Sequence, residues 1–217
     1  MRLTLFLAVA AGAFVLAAPA GAQSYQQDRR ACLHGPFDYE RVVRQCTAVL
    51  EAGHLTPLER AIALNNRAIG RGSADPPDIR DLTEAISLAP TIATLFYNRG
   101  LKQSDDPARA IPDYDQAIRL DPRYAVAWAG RGEVFVEQKQ YARAIRDFTE
   151  AIRLAPTYMH PMYNPYESRA RAKEAMGDVK GAEADRKLYM PLWIRADKVR
   201  PGPNVSGRRS WEGWLTK

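Results

Sequence analysis

Two cysteines, Cys32 and Cys46, are the residues of this 217-residue chain that could form a covalent bond with each other. They lie 14 residues apart, with Gly35 and Pro36 between them. In an oxidising compartment such a pair predicts a disulfide, and closing so short a loop would stabilise the fold by about 3 kcal/mol. Two buried free thiols are the alternative. A zinc site is disfavoured, because it needs four clustered Cys or His ligands and the three histidines are scattered.

Charged residues that could form ion pairs recur at regular spacing. Four arginines each precede a small residue, and an aspartate follows each arginine 14 or 16 residues later: Arg67 and Asp81, Arg99 and Asp113, Arg131 and Asp147, Arg169 and Asp185. Repetition within one chain favours a paired role. We predict partly buried pairs that bridge two helices, with bidentate geometry available to the guanidinium group. Two solvated columns of charge, which would contribute little to stability, are the alternative.

Motifs for catalysis are absent from the sequence. It contains no Gly-x-Ser-x-Gly elbow, no phosphate-binding glycine loop and no His-Glu-x-x-His. Acidic residues are abundant, but their helical spacing predicts solvated faces or the pairs described above. We therefore expect a protein that is not an enzyme and needs no cofactor or metal.

The amino terminus has the order of a secretory signal peptide. Arg2 precedes an apolar run from Leu3 to about Ala18, and small residues follow. Cleavage is expected after Ala20 or, preferably, after Ala22. A retained membrane anchor is the alternative, disfavoured because the run is short for a bilayer and is broken by Ala, Gly and Pro. The expected protein is periplasmic or secreted, with no stable membrane insertion after cleavage.

Helical elements that would position these residues repeat along the chain. Pro90, Pro122 and Pro156 end three similar segments at intervals of 32 and 34 residues, and residues 79–90 and 145–156 differ at only two positions. Apolar residues at helical spacing predict a pair of helices before each proline. Large side chains recur early in the first helix of each pair: Leu64, Phe96, Trp128 and Tyr166. Small residues recur where the paired helices would cross: Ala68, Gly100, Gly132, Ala170, Ala85, Ala117 and Ala151.

The three segments differ in two ways. Between the small residue of the first helix and the second helix, the first two segments are two residues shorter than the third, which predicts a shortened first helix or a tighter turn. In the middle segment, Asp106 and Pro107 supply a capping residue and a first-turn proline for the second helix. Pro112, however, lies inside that helix, where it removes a hydrogen bond. A kinked or delayed helix is therefore expected.

The order of aromatic, Gly, aromatic, Ala, Phe, Ala and Pro over residues 125–158 resembles the tetratricopeptide repeat. The resemblance implies an all-α fold, a right-handed α-solenoid of antiparallel helix pairs with three repeats plus degenerate terminal pairs. The expected divisions are a signal peptide at 1–22, capping helices with the predicted disulfide at 23–60, the solenoid at 61–189, and a basic tail rich in Pro, Gly and Trp at 190–217.

The resemblance also implies that the first helices line a concave surface for a peptide or partner protein. The candidate groove residues face away from the helix-pair core: Ile62, Asn65, Ile69, Thr94, Tyr97, Asn98, Leu101, Val126, Ala129, Glu133 and Val136, with Glu167, Arg171 and Glu174 from the fourth unit. These residues are apolar toward the amino end and charged toward the carboxyl end. An amphipathic or extended segment of an envelope protein is the expected ligand.

Charge leaves other partners open. Lys and Arg exceed Asp and Glu by 31 to 25, a net charge of +6, which favours weak attraction to anionic surfaces. One alternative is therefore a structural or accessory envelope protein that binds anionic cell-wall polymer or lipid; another is an accessory subunit of an envelope enzyme. Nucleic acid is not expected, because the basic-aromatic patch at Arg208 and Arg209 is too short. Trp211 and Trp214 could dock onto the solenoid or a partner, or belong to a disordered tail.

Overall fold

The computed structural model describes residues 20–34, 38–72, 79–156 and 164–188. Every regular element in these ranges is a helix, which confirms the all-α prediction. In chain order they are α1 (Ala20–His34), α2 (Tyr39–Ala52), α3 (Pro57–Gly70), α4 (Ile79–Leu88), α5 (Ala93–Lys102), α6 (Pro107–Leu120), α7 (Ala125–Glu137), α8 (Tyr141–Leu154), α9 (Pro165–Ala175) and α10 (179–188). The predicted tail at 190–217, with both of its tryptophans, lies outside the described residues, as do residues 1–19 of the predicted signal peptide.

The helices stack as a solenoid of pairs. Each helix from α1 to α8 packs against the next one in sequence, and the first helices of successive pairs (α1, α3, α5, α7 and α9) also contact one another. Among α2, α4, α6 and α8 no comparable contacts form. The first helices therefore make up an inner layer and the second helices an outer layer. This arrangement confirms the solenoid prediction and turns one face of each inner helix toward a shared concave surface.

The start of α3, the inner helix of the second pair, is fixed by a helix cap. Thr56 and Glu59 form a capping box at the start of α3, in which the Glu59 amide donates to Thr56 Oγ1 at 3.3 Å and the Thr56 amide donates to Glu59 Oε2 at 3.0 Å. The Thr56 amide holds the pKa of Glu59 below its ordinary value, with a further contribution from Arg29 of α1. Pro57 follows at the first helical position, so the helix starts there.

The middle unit obtains its shorter length from its first helix. Helix α5 has 10 residues, whereas α7 has 13. Helix α6 begins at Pro107, with the side chain of Asp106 accepting from the Ala108 amide at 3.1 Å, and it continues through Pro112. The predicted delay at Pro112 is therefore wrong. Both Pro112 and Ala108 are exposed, so water can bond the Ala108 carbonyl that loses its helical partner.

All four predicted arginine–aspartate pairs are present. In each pair the guanidinium Nε and Nη2 atoms donate to the two oxygens of one carboxylate, at 2.6–2.9 Å. The carboxylates are buried, with exposed fractions between 2% for Asp185 and 8% for Asp81. The alternative prediction, two columns of solvent-exposed charges, is therefore wrong. Each of these two-bond contacts, called a fork below, joins the first helix of a pair to its second helix.

Three of the arginines make a further contact that the sequence did not suggest. The free Nη1 atom donates to the second helix of the preceding pair: from Arg99 to Thr83 Oγ1 at 3.3 Å, from Arg131 to Asp115 Oδ1 at 2.5 Å, and from Arg169 to Thr149 Oγ1 at 3.0 Å. A single guanidinium group thus connects three helices. This contact holds consecutive units together as well as the two helices within a unit.

Small residues admit large ones, both within a unit and between units. A Cβ atom added at Gly132 would lie 2.8 Å from Cε1 of Phe148, which is the close helix crossing that the sequence predicted. A Cβ atom at Gly130 would lie 2.8 Å from Cε1 of Tyr114, which belongs to the preceding unit. Tyr114 is 1% exposed. Because Gly130 has no side chain, its unit can pack directly on the Tyr114 ring of the preceding unit.

The predicted disulfide joins the first helical pair. Cys32 of α1 and Cys46 of α2 are bonded, and both residues are buried. Arg29 of α1 forms an ion pair with Glu59 of α3. The amino-terminal pair is therefore fixed within itself by a covalent bond and to the next unit by a charged contact.

Candidate functional site: the concave groove

The predicted groove residues of α3, α5 and α7 lie on the inner layer but differ in exposure. Eight of them are half-buried: Ile62, Ile69, Thr94, Tyr97, Leu101, Val126, Glu133 and Val136. Asn65, Asn98 and Ala129 are buried, at 9%, 7% and 7% exposed. The structure thus places eight partly accessible side chains on three successive inner helices. The three buried residues form the packing beneath them.

A chain of side-chain amides connects three inner helices beneath the groove. Asn98 of α5 donates Nδ2 to Asn65 Oδ1 of α3 at 2.8 Å, and Asn65 donates to Asn66 Oδ1 at 3.1 Å. Asn66 in turn donates to the backbone carbonyl of Cys32 in α1 at 2.9 Å. Asn98 was predicted to contact the ligand, but its amide group donates a hydrogen bond to Asn65 of the preceding unit. Sequence alone could not show this, because the two asparagines lie 33 residues apart.

Tyr97 is held among aromatic rings. Its ring centroid lies 6.0 Å from that of Tyr114 and 5.4 Å from that of Tyr124. Such tilted and edge-on contacts stabilise by more than area burial alone. Tyr97 therefore supports the groove wall, and Leu101, one turn further along α5, is the more independent apolar contact.

The carboxyl end of the groove is built around Glu133 of α7. Ser168 of α9 donates its hydroxyl to Glu133 Oε1, and Arg171 of α9 lies 3.8 Å from Oε2 through Nη2. The Glu133 side chain is 21% exposed and that of Arg171 is 57% exposed. Sequence analysis placed Glu133 and Arg171 in the groove but missed Ser168, which is buried and becomes a partner only through the stacking of α9 on α7.

The electrostatics of Glu133 disfavour its charge. Burial raises the pKa of Glu133 above its ordinary value, and the carboxylate of Glu137 acts in the same direction. The bond from Ser168 and the attraction of Arg171 offset part of this effect. The carboxylate is thus desolvated without complete compensation.

Two other acidic residues of the fourth unit are already occupied. Arg186 of α10 contacts Glu167 Oε2 at 3.2 Å through Nε and Glu174 Oε1 at 2.5 Å through Nη1. These bonds raise the pKa of Arg186. In the third unit the buried Phe148 stands at the position of Arg186. Among the described residues, the fourth repeat therefore carries an ion-paired arginine where the third unit buries an aromatic ring.

Metal binding and membrane spanning gain no support from the described ranges. Within residues 20–34, 38–72, 79–156 and 164–188 no cluster of His, Cys, Asp and Glu is suited to hold a metal ion. None of the helices in this part of the chain is both long and apolar enough to cross a bilayer.

Stacked helix pairs with an inner layer of first helices define an α-solenoid repeat protein. Within that class, the sequence profile of the tetratricopeptide repeat matches residues 99–158. The chain therefore carries tetratricopeptide repeats, which confirms the resemblance. The matched segment contains both the Arg99–Asp113 and the Arg131–Asp147 ion pairs.

Solved structures show the same fold. A crystal structure of a MamA protein is 21% identical, covers 82% of this chain and 95% of its own, and superimposes with a TM-score of 0.62. MamA from Desulfovibrio magneticus RS-1 is 17% identical, covers 83% of this chain and 99% of its own, and has a TM-score of 0.65. No curated protein matches the chain in sequence. At these identities the likeness establishes the fold alone.

Replacing Glu133 by glutamine is expected to stabilise the protein at neutral pH. The amide keeps an acceptor for Ser168 and removes the desolvated charge, while the lost attraction of the exposed Arg171 counts for little. We expect Tm to rise by about 2–4 °C at pH 7, equivalent to roughly 1 kcal/mol for a domain of this size.

The pH dependence of this gain has a defined sign. Below the ordinary value of 4.5 the carboxyl group is protonated in both the folded and the unfolded chain, so the variant gains nothing. As pH rises from 4.5 through the raised folded-state pKa, the wild type loses stability and the variant does not. The difference in Tm should therefore open across this window and level off above it. A variant less stable than the wild type at pH 7 would contradict the electrostatic argument.

Proposed function

We propose that the protein is a non-enzymatic interaction scaffold that binds a peptide or partner segment in its concave groove. The observation that carries this proposal is the row of half-buried apolar side chains on consecutive inner helices, with Ile69, Leu101 and Val126 as examples. Stacking of the units leaves these side chains partly accessible, and a ligand that covered them would remove apolar surface from water. An extended or amphipathic segment fits such a surface.

The proposed location is the periplasm of a bacterium, with secretion as the alternative. Two features support it: the signal-peptide pattern in the first 22 residues, and a disulfide between the only two cysteines of the chain. A direct check is amino-terminal sequencing of the protein recovered from a periplasmic fraction. Cleavage after Ala22 is the expected result.

A second proposed function is binding of anionic cell-wall polymer or lipid through the basic surface, because the net charge of the chain is +6. Ionic strength separates the two functions. Binding in an apolar groove should survive moderate salt, whereas polymer binding through scattered basic residues should fall steeply.

Truncation of a groove leucine tests the proposed function. We expect Leu101→Ala to weaken the binding of peptides selected on the wild-type protein from a random displayed library by about tenfold or more, the scale of losing a buried leucine side chain. Isothermal titration calorimetry measures the change in Kd. Leu58→Ala is the matched control, since Leu58 is 52% exposed near the start of α3 and was not predicted for the groove. Equal affinities for wild type and Leu101→Ala would contradict groove binding.

A further inference from the structure

We propose that Glu133 is the specificity residue of the groove and that it selects a partner segment carrying an arginine or lysine beside apolar residues. This inference rests on the proposed function and defines the chemistry of the ligand. It predicts which side chain of the ligand approaches the carboxyl end of the groove. Four observations carry it.

The position of Glu133 does not require a carboxylate for packing. The residue directly after the small residue of the inner helix is Ile69 in the first unit, Leu101 in the second and Glu133 in the third. The first two are apolar and half-buried, as Glu133 is. An aliphatic side chain is thus compatible with this place in the solenoid. A glutamate there needs a reason other than folding.

The Glu133 carboxylate has an oxygen available to a ligand. Ser168 donates to Oε1, whereas the nearest cation to Oε2, Arg171, stands at 3.8 Å, beyond hydrogen-bond distance. Within the described ranges, Tyr25 Oη is the single side-chain oxygen or nitrogen that is fully buried without a partner. Oε2 therefore still reaches solvent, and Glu133 occupies the column that holds Leu101 in the preceding unit.

The energetics favour a cationic ligand over an anionic one. Glu133 is desolvated, so its charge carries a cost that a cation with hydrogen-bond donors would offset. Arg171 is 57% exposed and its charge is well solvated, so an anion would gain less by approaching it. A charge kept at the expense of stability is characteristic of functional sites.

The apolar surroundings define the rest of the ligand. Leu101 precedes Glu133 in the same column of the groove, and Val136 follows it by three residues on α7; both are half-buried. A segment whose basic side chain reaches Oε2 would lay its neighbouring side chains across these residues. The matching ligand is therefore a polypeptide with a basic residue flanked by apolar ones.

A double-mutant cycle tests the assignment. Peptides are selected from the random displayed library on the wild-type protein, and one selected peptide is synthesised with arginine and with citrulline, its neutral isostere. On the wild type we expect citrulline to bind about tenfold or more weaker, the scale of a hydrogen bond between charged groups. On Glu133→Gln the two peptides should bind within about twofold of each other. The thermal stability of the variant, measured in parallel, confirms that it is folded.

The outcomes separate this inference from the proposed function. Peptides that lack basic residues, or that lose affinity equally on both proteins when citrulline replaces arginine, would overturn the role of Glu133 while leaving groove binding intact. Acidic peptides whose affinity falls with Arg171→Ala would assign the specificity to Arg171 instead and overturn the proposal. Peptides insensitive to Leu101→Ala would refute groove binding and this inference together.

Discussion

Replacement of Asp147 by alanine is expected to lower the free energy of unfolding by about 3 kcal/mol, because it leaves a largely buried guanidinium group without its main partner. The Asp147 side chain is 7% exposed and accepts from Arg131 at 2.8 and 2.9 Å. The Arg131 side chain is itself only 17% exposed. Asp115 stays bonded to Nη1, so the effect should lie at the lower end of the range for a broken buried pair.

The position of Asp147 in the stack makes this loss visible across the molecule. Arg131 connects α7 to its own second helix, α8, and to the preceding second helix, α6. Repeat proteins are stabilised chiefly by contacts within and between neighbouring units. Weakening one internal unit should therefore loosen its neighbours as well, and hydrogen exchange should accelerate in α6 and α8 together.

Urea denaturation followed by circular dichroism measures the predicted change. Glu150→Ala is the matched control, because Glu150 pairs with Arg153 within a single helix at the surface, and stability near that of the wild type is expected. Asp147→Asn keeps the shape and one acceptor, so its loss should be smaller than that of alanine. A loss of only a few tenths of a kcal/mol for Asp147→Ala would mean that water or Asp115 compensates Arg131.

The sequence was sufficient to predict contacts that recur. The arginine and aspartate of each fork stand at nearly constant spacing in four units, so repetition alone indicated the pairing. The small residue at Gly132 and the large one at Phe148 followed from the same columns. The repeats of one chain can be compared with each other position by position, because each unit packs its pair of helices in the same way.

Contacts that change from unit to unit could not be predicted in this way. The second partner of the arginine is Thr83, Asp115 or Thr149, so no constant residue type marks the position. Ser168 approaches Glu133 only through the stacking of α9 on α7. Pro112 was expected to kink or delay its helix, but α6 starts at Pro107 and runs through Pro112, and water can bond the carbonyl of the exposed Ala108. The sequence predicted which residues of the inner helices line the groove. The hydrogen bonds among Asn65, Asn66 and Asn98 beneath it became visible only in the structure.

Removal of the disulfide by the double variant Cys32→Ala and Cys46→Ala is expected to destabilise the first helical pair by about 3 kcal/mol, the entropic scale for a loop of this length. The bridge closes 14 residues and joins α1 to α2. Alanine is chosen rather than serine, because serine would place a hydroxyl group at sites that are 2% and 0% exposed. Without the bridge, α1 is held mainly by its packing, by the Arg29–Glu59 pair and by the bond from Asn66 to the Cys32 carbonyl.

The location of the damage distinguishes this variant from Asp147→Ala. Within the described ranges the first pair contacts only the unit that follows it, so its loosening should remain local. Hydrogen exchange should therefore accelerate in α1 and α2 and change little in α7 and α8. Wild-type protein treated with a thiol reductant should show the same pattern, and loss of the disulfide should also weaken the restraint that Asn66 receives from α1. Exchange in α1 that is unchanged by the double variant would contradict the assigned role, because the noncovalent contacts alone would then hold the first pair.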